Sequence, residues 1–314
     1  MAEPLSSAEL AMTTIAERSE KLRWALARLP LASDAEATHD ARVSLRRLRA
    51  AATGFAGCLV QARQWRRQLR RAERELGGLR DAEVRLALLE EVLGPVAVWR
   101  DRSDDPGAPI IGDGPSGTRH GLRGLEAEAR RTLADSTAAE IAELRSRALS
   151  EKAAKRLQRV AAGPVVQKGG VDPTAASLGA RQLPQLFKRA RRQTRTEAEL
   201  HQRRGEIRKL RYRLELFAPV LGPGQRTVLQ ELRELQGLLG RFHDLAVLAD
   251  QIDGSSRELR HELRPALRRL ALRVELERQV AKEAAQAELG RIDQADWWAA
   301  AQAACLEPER EQTG

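Results

Sequence analysis

Residues 38–55, THDARVSLRRLRAAATGF, carry one His and four Arg within eleven positions. On a helix, side chains three and four residues apart are neighbours. His39, Arg42, Arg46 and Arg49 are separated by three, four and three, so a helix lines them up as one stripe. Leu45, Leu48, Ala52 and Phe55 follow the same steps and form an apolar stripe beside it. The guanidinium fork grips phosphate oxygens in pairs, whereas an ammonium acts as a point charge. Only seven of the 54 basic residues are Lys. The chemistry on offer is recognition of an anion, with the His as a further hydrogen-bond donor. A nearby anion raises the pKa of a His and favours its imidazolium.

The stripe occurs twice. HDARVSLRRLRA from His39 aligns with HQRRGEIRKLRY from His201 at an offset of 162 residues. His39 pairs with His201, Arg42 with Arg204, Arg46 with Arg208, Arg47 with Lys209 and Arg49 with Arg211. The apolar stripe repeats as Ile207, Leu210, Leu214 and Phe217. Downstream, LGGLRDAEV (76–84) aligns with LGRFHDLAV (239–247), setting Arg80 against His243 and Asp81 against Asp244. Acids are poor phosphate ligands, so Asp81 and Asp244 are expected to hold Arg80 and His243, or to cap within the bundle, as structural support. Flanking helices add Arg63, Arg67, Arg70 and Arg74, and Lys188, Arg192 and Arg195, again at helical steps; of these, Arg67, Arg70, Lys188, Arg192 and Arg195 are secondary candidates.

These residues need helices to hold them. Ala, Leu, Arg and Glu dominate the 314-residue chain, and strand-favouring Val, Ile, Thr and Tyr are scarce, so the fold is read as all-α. Helical periodicity predicts helices over about 6–29, a stretch capped by Ser33 or Asp34 and running to about 60, 63–93 and 122–161. It returns at about 181–199, 200–218, 224–252 and 255–288. Residues 94–121 read as a long loop, 162–178 as a linker and 289–314 as a tail with one short helical turn. Trp297 and Trp298 in that tail are expected to pack back on the bundle. Two similar halves, 6–161 and 179–288, predict two four-helix bundles related by a pseudo-twofold axis. Two basic stripes, each roughly 15 Å long, would then line one shared central groove, which suits a long linear polyanion.

The charge is unevenly placed. Residues 39–74 carry ten Arg against two acids, and residues 181–213 carry twelve Lys or Arg against three. Those blocks hold +17 and the rest of the chain −7, for a net charge of +10. An anionic partner follows from this distribution. Cys58 and Cys305 are too few and too far apart for a disulfide framework or a metal site. No apolar run approaches the length of a membrane span, and the N-terminus lacks a signal-peptide pattern. A cytoplasmic protein with no membrane partner is expected. No second His or Cys stands at ligand spacing, so no metal or other cofactor is expected.

The motifs HDARVSLRRLRA, LRDAEV, HQRRGEIRKLRY and LLGRFHDLAVL, in this order, resemble the paired signatures of CHAD domains, a histidine-containing α-helical family. The resemblance spans about residues 6–288. It implies two four-helix bundles with a basic groove, binding of inorganic polyphosphate and, in some members, association with polyphosphate granules. By motif position it assigns anion contacts to His39, Arg42, Arg46, Arg47 and Arg49, and to His201, Arg204, Arg208, Lys209 and Arg211. Departures are Ala82-Glu83, where an apolar residue and then Asp are usual, and Gly205, which weakens a helical turn. A fused triphosphate-hydrolysing domain is not expected, and EAEAR (126–130) lies in a helical region.

The leading reading is non-catalytic polyphosphate binding. The alternative is a protein that binds the phosphate backbone of nucleic acid, which would favour exposed aromatics for stacking; Tyr212 is the only aromatic inside either basic motif. An enzyme acting on phosphoanhydrides would need metal-binding carboxylates near the arginines or a Gly-rich phosphate loop, and the basic blocks offer neither.

Overall fold

Ser6 opens the first helix by a reciprocal cap. Its hydroxyl accepts the Glu9 backbone N–H at 3.2 Å, and its own N–H donates to the Glu9 carboxylate at 3.2 Å, which satisfies two donors left over at the helix start. The computed structural model describes residues 4–31, 35–94, 117–167, 173–194, 196–258 and 260–306. Among these residues it contains ten α-helices, three short 3₁₀ turns and no strand. The α-helices are α1 (Ser7–Arg28), α2 (Ala35–Gly54), α3 (Ala62–Leu93), α4 (Gly117–Ala148), α5 (Glu151–Ala161), α6 (Ala175–Ala190), α7 (Glu197–Phe217), α8 (Gln225–Glu258), α9 (Arg264–Ile292) and α10 (Ala295–Leu306).

Several element bounds differ from the sequence expectation, each for a local reason. The stretch 122–161 is two helices, because Ser150 starts α5 by accepting the Ala153 N–H. Thr174 caps α6 in the same way through Ser177, so that helix begins earlier than the basic run. The second helix ends at Gly54 rather than near residue 60. The tail forms a full helix, α10, of twelve residues rather than one turn. Ser33, Asp34, most of the 94–121 loop and residues 307–314 lie outside the described residues. The segment joining the halves is pinned to the N-terminal part of the chain: Val60 N–H donates to Val165 O and Gln167 N–H to Cys58 O.

Contacts group the chain into two compact units. The first comprises Met1–Gly78, Arg147–Leu239 and Ala285–Gly314; the second comprises Leu79–Ser146 and Gly240–Ala284. Each unit draws on both copies of the repeat, so grouping in space and repetition in sequence divide the chain along different lines. In the first unit α1 packs on α2, α6 packs on α7, and α2 packs on α7. Its core takes Leu22 from α1, Leu183 and Phe187 from α6, and the two apolar stripes. In the second unit the buried residues include Leu79 and Leu89 of α3, Leu133 of α4, Leu245 and Leu248 of α8, and Leu270 and Val274 of α9. Ion pairs bind its helices together, Arg85 to Glu140 at 2.6 Å and Arg241 to Glu91 at 2.6 Å.

Candidate anion-binding site

The apolar stripes place the basic ones. Leu45, Leu48 and Ala52 of α2 and Phe55 just past its end are wholly buried, and so are Ile207, Leu210, Leu214 and Phe217 of α7. Burial of each Leu, Ile or Phe contributes about 1.5–3 kcal/mol, so these residues hold the two helices in register. Phe55 and Phe217, equivalent positions of the repeat, meet edge to face with centroids 5.7 Å apart and planes at 74°. This is the favoured arrangement of two aromatic quadrupoles. With the apolar lines joined, the adjoining lines of arginine come together within the first unit.

Arg208 of α7 records that convergence. Its pKa is lowered to about 10, first by burial and then by the like charges of Arg46 and Arg204, with Arg49 adding to them. Arg46 and Arg208 are repeat equivalents on different helices, and each lies in the other's field. Neither makes a hydrogen bond or ion pair among the described residues. Guanidiniums crowded in this way, partly withdrawn from water, are stabilised by any anion that enters between them.

The remaining candidates are held in different ways. Arg42 donates to the Gly77 carbonyl of α3 at 2.5 Å. Arg49 lies 3.0 Å from Glu73 of α3, and Arg47 leaves the stripe to reach Glu215 of α7 at 3.0 Å. Glu215 also takes Arg211 at 3.3 Å and Arg233 at 3.7 Å. Lys209 is mostly exposed and pairs with Glu206 at 2.6 Å. Arg204 is half-buried, while His39 and His201 are exposed at the N-terminal ends of their stripes. Helix α7 runs through Gly205 without a break. The arginine lines are therefore partly, not wholly, neutralised: Glu73, Glu206 and Glu215 stand against eight Arg and Lys candidates.

Sequence reasoning missed Glu73 and Glu215 as members of this cluster. Glu215 was readable as a partner four residues after Arg211. Glu73 was one of only two acids in the block 39–74, but its reach to Arg49 is a tertiary fact. Three further arginines belong to the scaffold. Arg18 donates to the Arg47 carbonyl at 2.8 Å. Arg203 is buried on Asp293, and Arg213 is buried against Gln182.

Of the secondary candidates, Arg67, Arg70, Lys188 and Arg192 are exposed; Arg195 lies outside the described residues. Arg192 lines a polar cavity of about 450 Å³ with Arg189, Thr194, Gln202 and Arg203. Lys188 lines a different one, of about 610 Å³, whose apolar wall is Phe187 and Trp298. Arg80, Asp81, His243 and Asp244 belong to the second unit, whereas both stripes belong to the first. There Glu83, the departure noted beside Asp81, is buried and takes Arg145 of α4 at 3.1 Å and Arg80 at 3.8 Å. That ion pair accounts for an acid at this position. No group of three His, Cys, Asp or Glu side chains converges as a metal site among the described residues, and none of their helices is long and apolar enough to cross a membrane.

The family model for the CHAD domain matches residues 16–253. The crystal structure of the CHAD domain from the plant Ricinus communis is similar over 97% of this chain and 94% of its own, at 22% identity and a TM-score of 0.57. PptA from Streptomyces chartreusis is similar over 92% of this chain and 100% of its own, at 19% identity and a TM-score of 0.60. Likeness at these identities speaks to the fold. No curated protein matches the chain.

Proposed function

The chain belongs to the CHAD domain family, and from that premise we propose that it binds inorganic polyphosphate, without transforming it, in a basic groove lined by both stripes. The convergence of Arg46 and Arg208, whose side chains make no hydrogen bond or ion pair among the described residues, is the observation that carries this reading. A linear polyanion brings successive phosphates past successive guanidiniums, each fork donating two hydrogen bonds. Entry of the chain relieves the repulsion between Arg46, Arg204 and Arg208, so the empty protein is poised toward binding. His39, Arg42 and Arg204 extend the contact along the stripes, with His201 at the head of the second. Arg47, Arg49, Lys209 and Arg211 keep their carboxylates and shape the field more than they contact the guest. On this reading the protein resides in the cytoplasm, on polyphosphate granules where these form.

Reversing both central charges, Arg46→Glu with Arg208→Glu, is expected to abolish polyphosphate binding while helicity by circular dichroism stays unchanged. Retention of polyphosphate by the folded double variant at moderate salt would overturn the assignment. Incubation of the wild type with polyphosphate and Mg²⁺ is expected to release no phosphate. Nucleic-acid backbones offer similar anions, but Tyr212 is buried, with the Arg211 guanidinium 4.6 Å from its ring centroid. It therefore presents no free face for base stacking.

A further inference from the structure

A carboxylate stands inside the arginine cluster, and simple anion binding has no use for it. Glu73 reaches in from α3 with 17% of its side chain exposed and Oε1 3.0 Å from Arg49 Nε. Arg42, Arg46 and Arg49 of α2 and Arg208 of α7 all act on its charge. Yet Oε1 is buried and accepts no well-aligned hydrogen bond. Glu73 thus stands among four guanidiniums, ion-paired with one of them, where it competes with any anion for the same positive charges.

We propose that Glu73 is a built-in competitor of the bound polyanion, engaging Arg49 in the empty protein and repelling incoming phosphates, so that it limits affinity and keeps binding reversible. The inference rests on the polyphosphate reading and adds a regulator to that site. A phosphate chain beside Glu73 favours its protonated form, and burial acts in the same direction. Binding therefore takes up a proton at Glu73, and affinity rises as pH falls. The difference between the wild type and a Glu73 variant is what reports Glu73.

The test measures affinity for polyphosphate of one defined length at pH 8 for the wild type, Glu73→Gln and Glu151→Gln. Glu151 is an exposed carboxylate of α5, so its variant controls for the loss of one negative charge. Glu73→Gln is expected to bind about fivefold or more tightly than the wild type, and Glu151→Gln to change by less than about twofold. The advantage of Glu73→Gln is expected to shrink as the pH is lowered toward about 5. Glu73→Asp, whose shorter arm withdraws from Arg49, serves as a second variant and is expected to fall between the two. Equal or weaker binding by both folded Glu73 variants overturns this proposal and leaves the polyphosphate reading standing. Absence of binding by the wild type overturns both.

Discussion

Arg203 and Arg204 adjoin in the chain and do different work. Arg203 is buried, donates its Nε to the Ala190 carbonyl at 2.9 Å and forks onto Asp293, which also accepts the Trp298 indole N–H at 3.1 Å. Its equivalent in the first repeat is Ala41, also buried. Arg213 likewise stands where the first repeat has Ala51, and burial lowers its pKa to about 10. The second copy thus put arginine on two core-facing positions and found acceptors for both guanidiniums. Glu73 is the opposite case, an acid whose pKa is raised from the ordinary 4.5 by burial in spite of its arginines. A raised carboxylate pKa means that the folded protein binds this proton more tightly than the unfolded chain. At neutral pH the ionised side chain therefore weighs against the fold, and that penalty vanishes as pH falls through the folded-state pKa toward 4.5. Glu73→Gln is expected to raise the melting temperature at pH 7, with the gain shrinking to nothing near pH 4.5, as read by calorimetry across a pH series.

The contact between α2 and α7 is the element on which the site depends. Its apolar line is complete, and Phe55 against Phe217 joins equivalent positions of the two repeats. A double-mutant cycle with Phe55→Leu and Phe217→Leu is expected to give a coupling of about 0.5–1.5 kcal/mol in chemical denaturation. Gly54 sits on the same contact, because a Cβ there would run into the Leu216 side chain and the Arg213 guanidinium. Close approach, not conformational freedom, explains that glycine. The C-terminal α10 packs on α6 of the same unit. Trp298 is buried and meets Phe187 edge to face at 6.3 Å, and the Trp297 N–H donates to Glu231 at 2.8 Å. The tryptophans pack back on the bundle, as expected, on a longer helix than expected.

For the whole molecule the governing quantity is the distribution of charge. Two blocks hold +17 on a chain whose remainder is −7, and the carboxylates nearest the stripes neutralise only part of them. Association with a polyanion displaces condensed counterions, so affinity falls steeply with salt. A plot of log affinity against log salt is expected to be linear, with a slope of about 0.7–0.9 per phosphate engaged, by analogy with nucleic acids. In a competition at equal phosphate concentration, duplex DNA or RNA is expected to leave bound polyphosphate in place. Displacement by either nucleic acid would favour the alternative reading.

The sequence by itself determined the all-α class, the doubled motif and the identity of the buried faces. Leu45, Leu48 and Phe55, and Ile207, Leu210 and Phe217, are buried as their spacing requires, because helix geometry and side-chain hydrophobicity are local properties. Only the tertiary structure decided which arginines keep their charge available. Arg208 lies in the field of Arg46, Arg49 is paired with Glu73, Arg47 is tied to a carboxylate 168 residues away, and Arg203 is sunk into the scaffold. Coulomb forces and desolvation act through a few ångströms of space, and that proximity is made by packing between helices, which no helical period along one segment encodes.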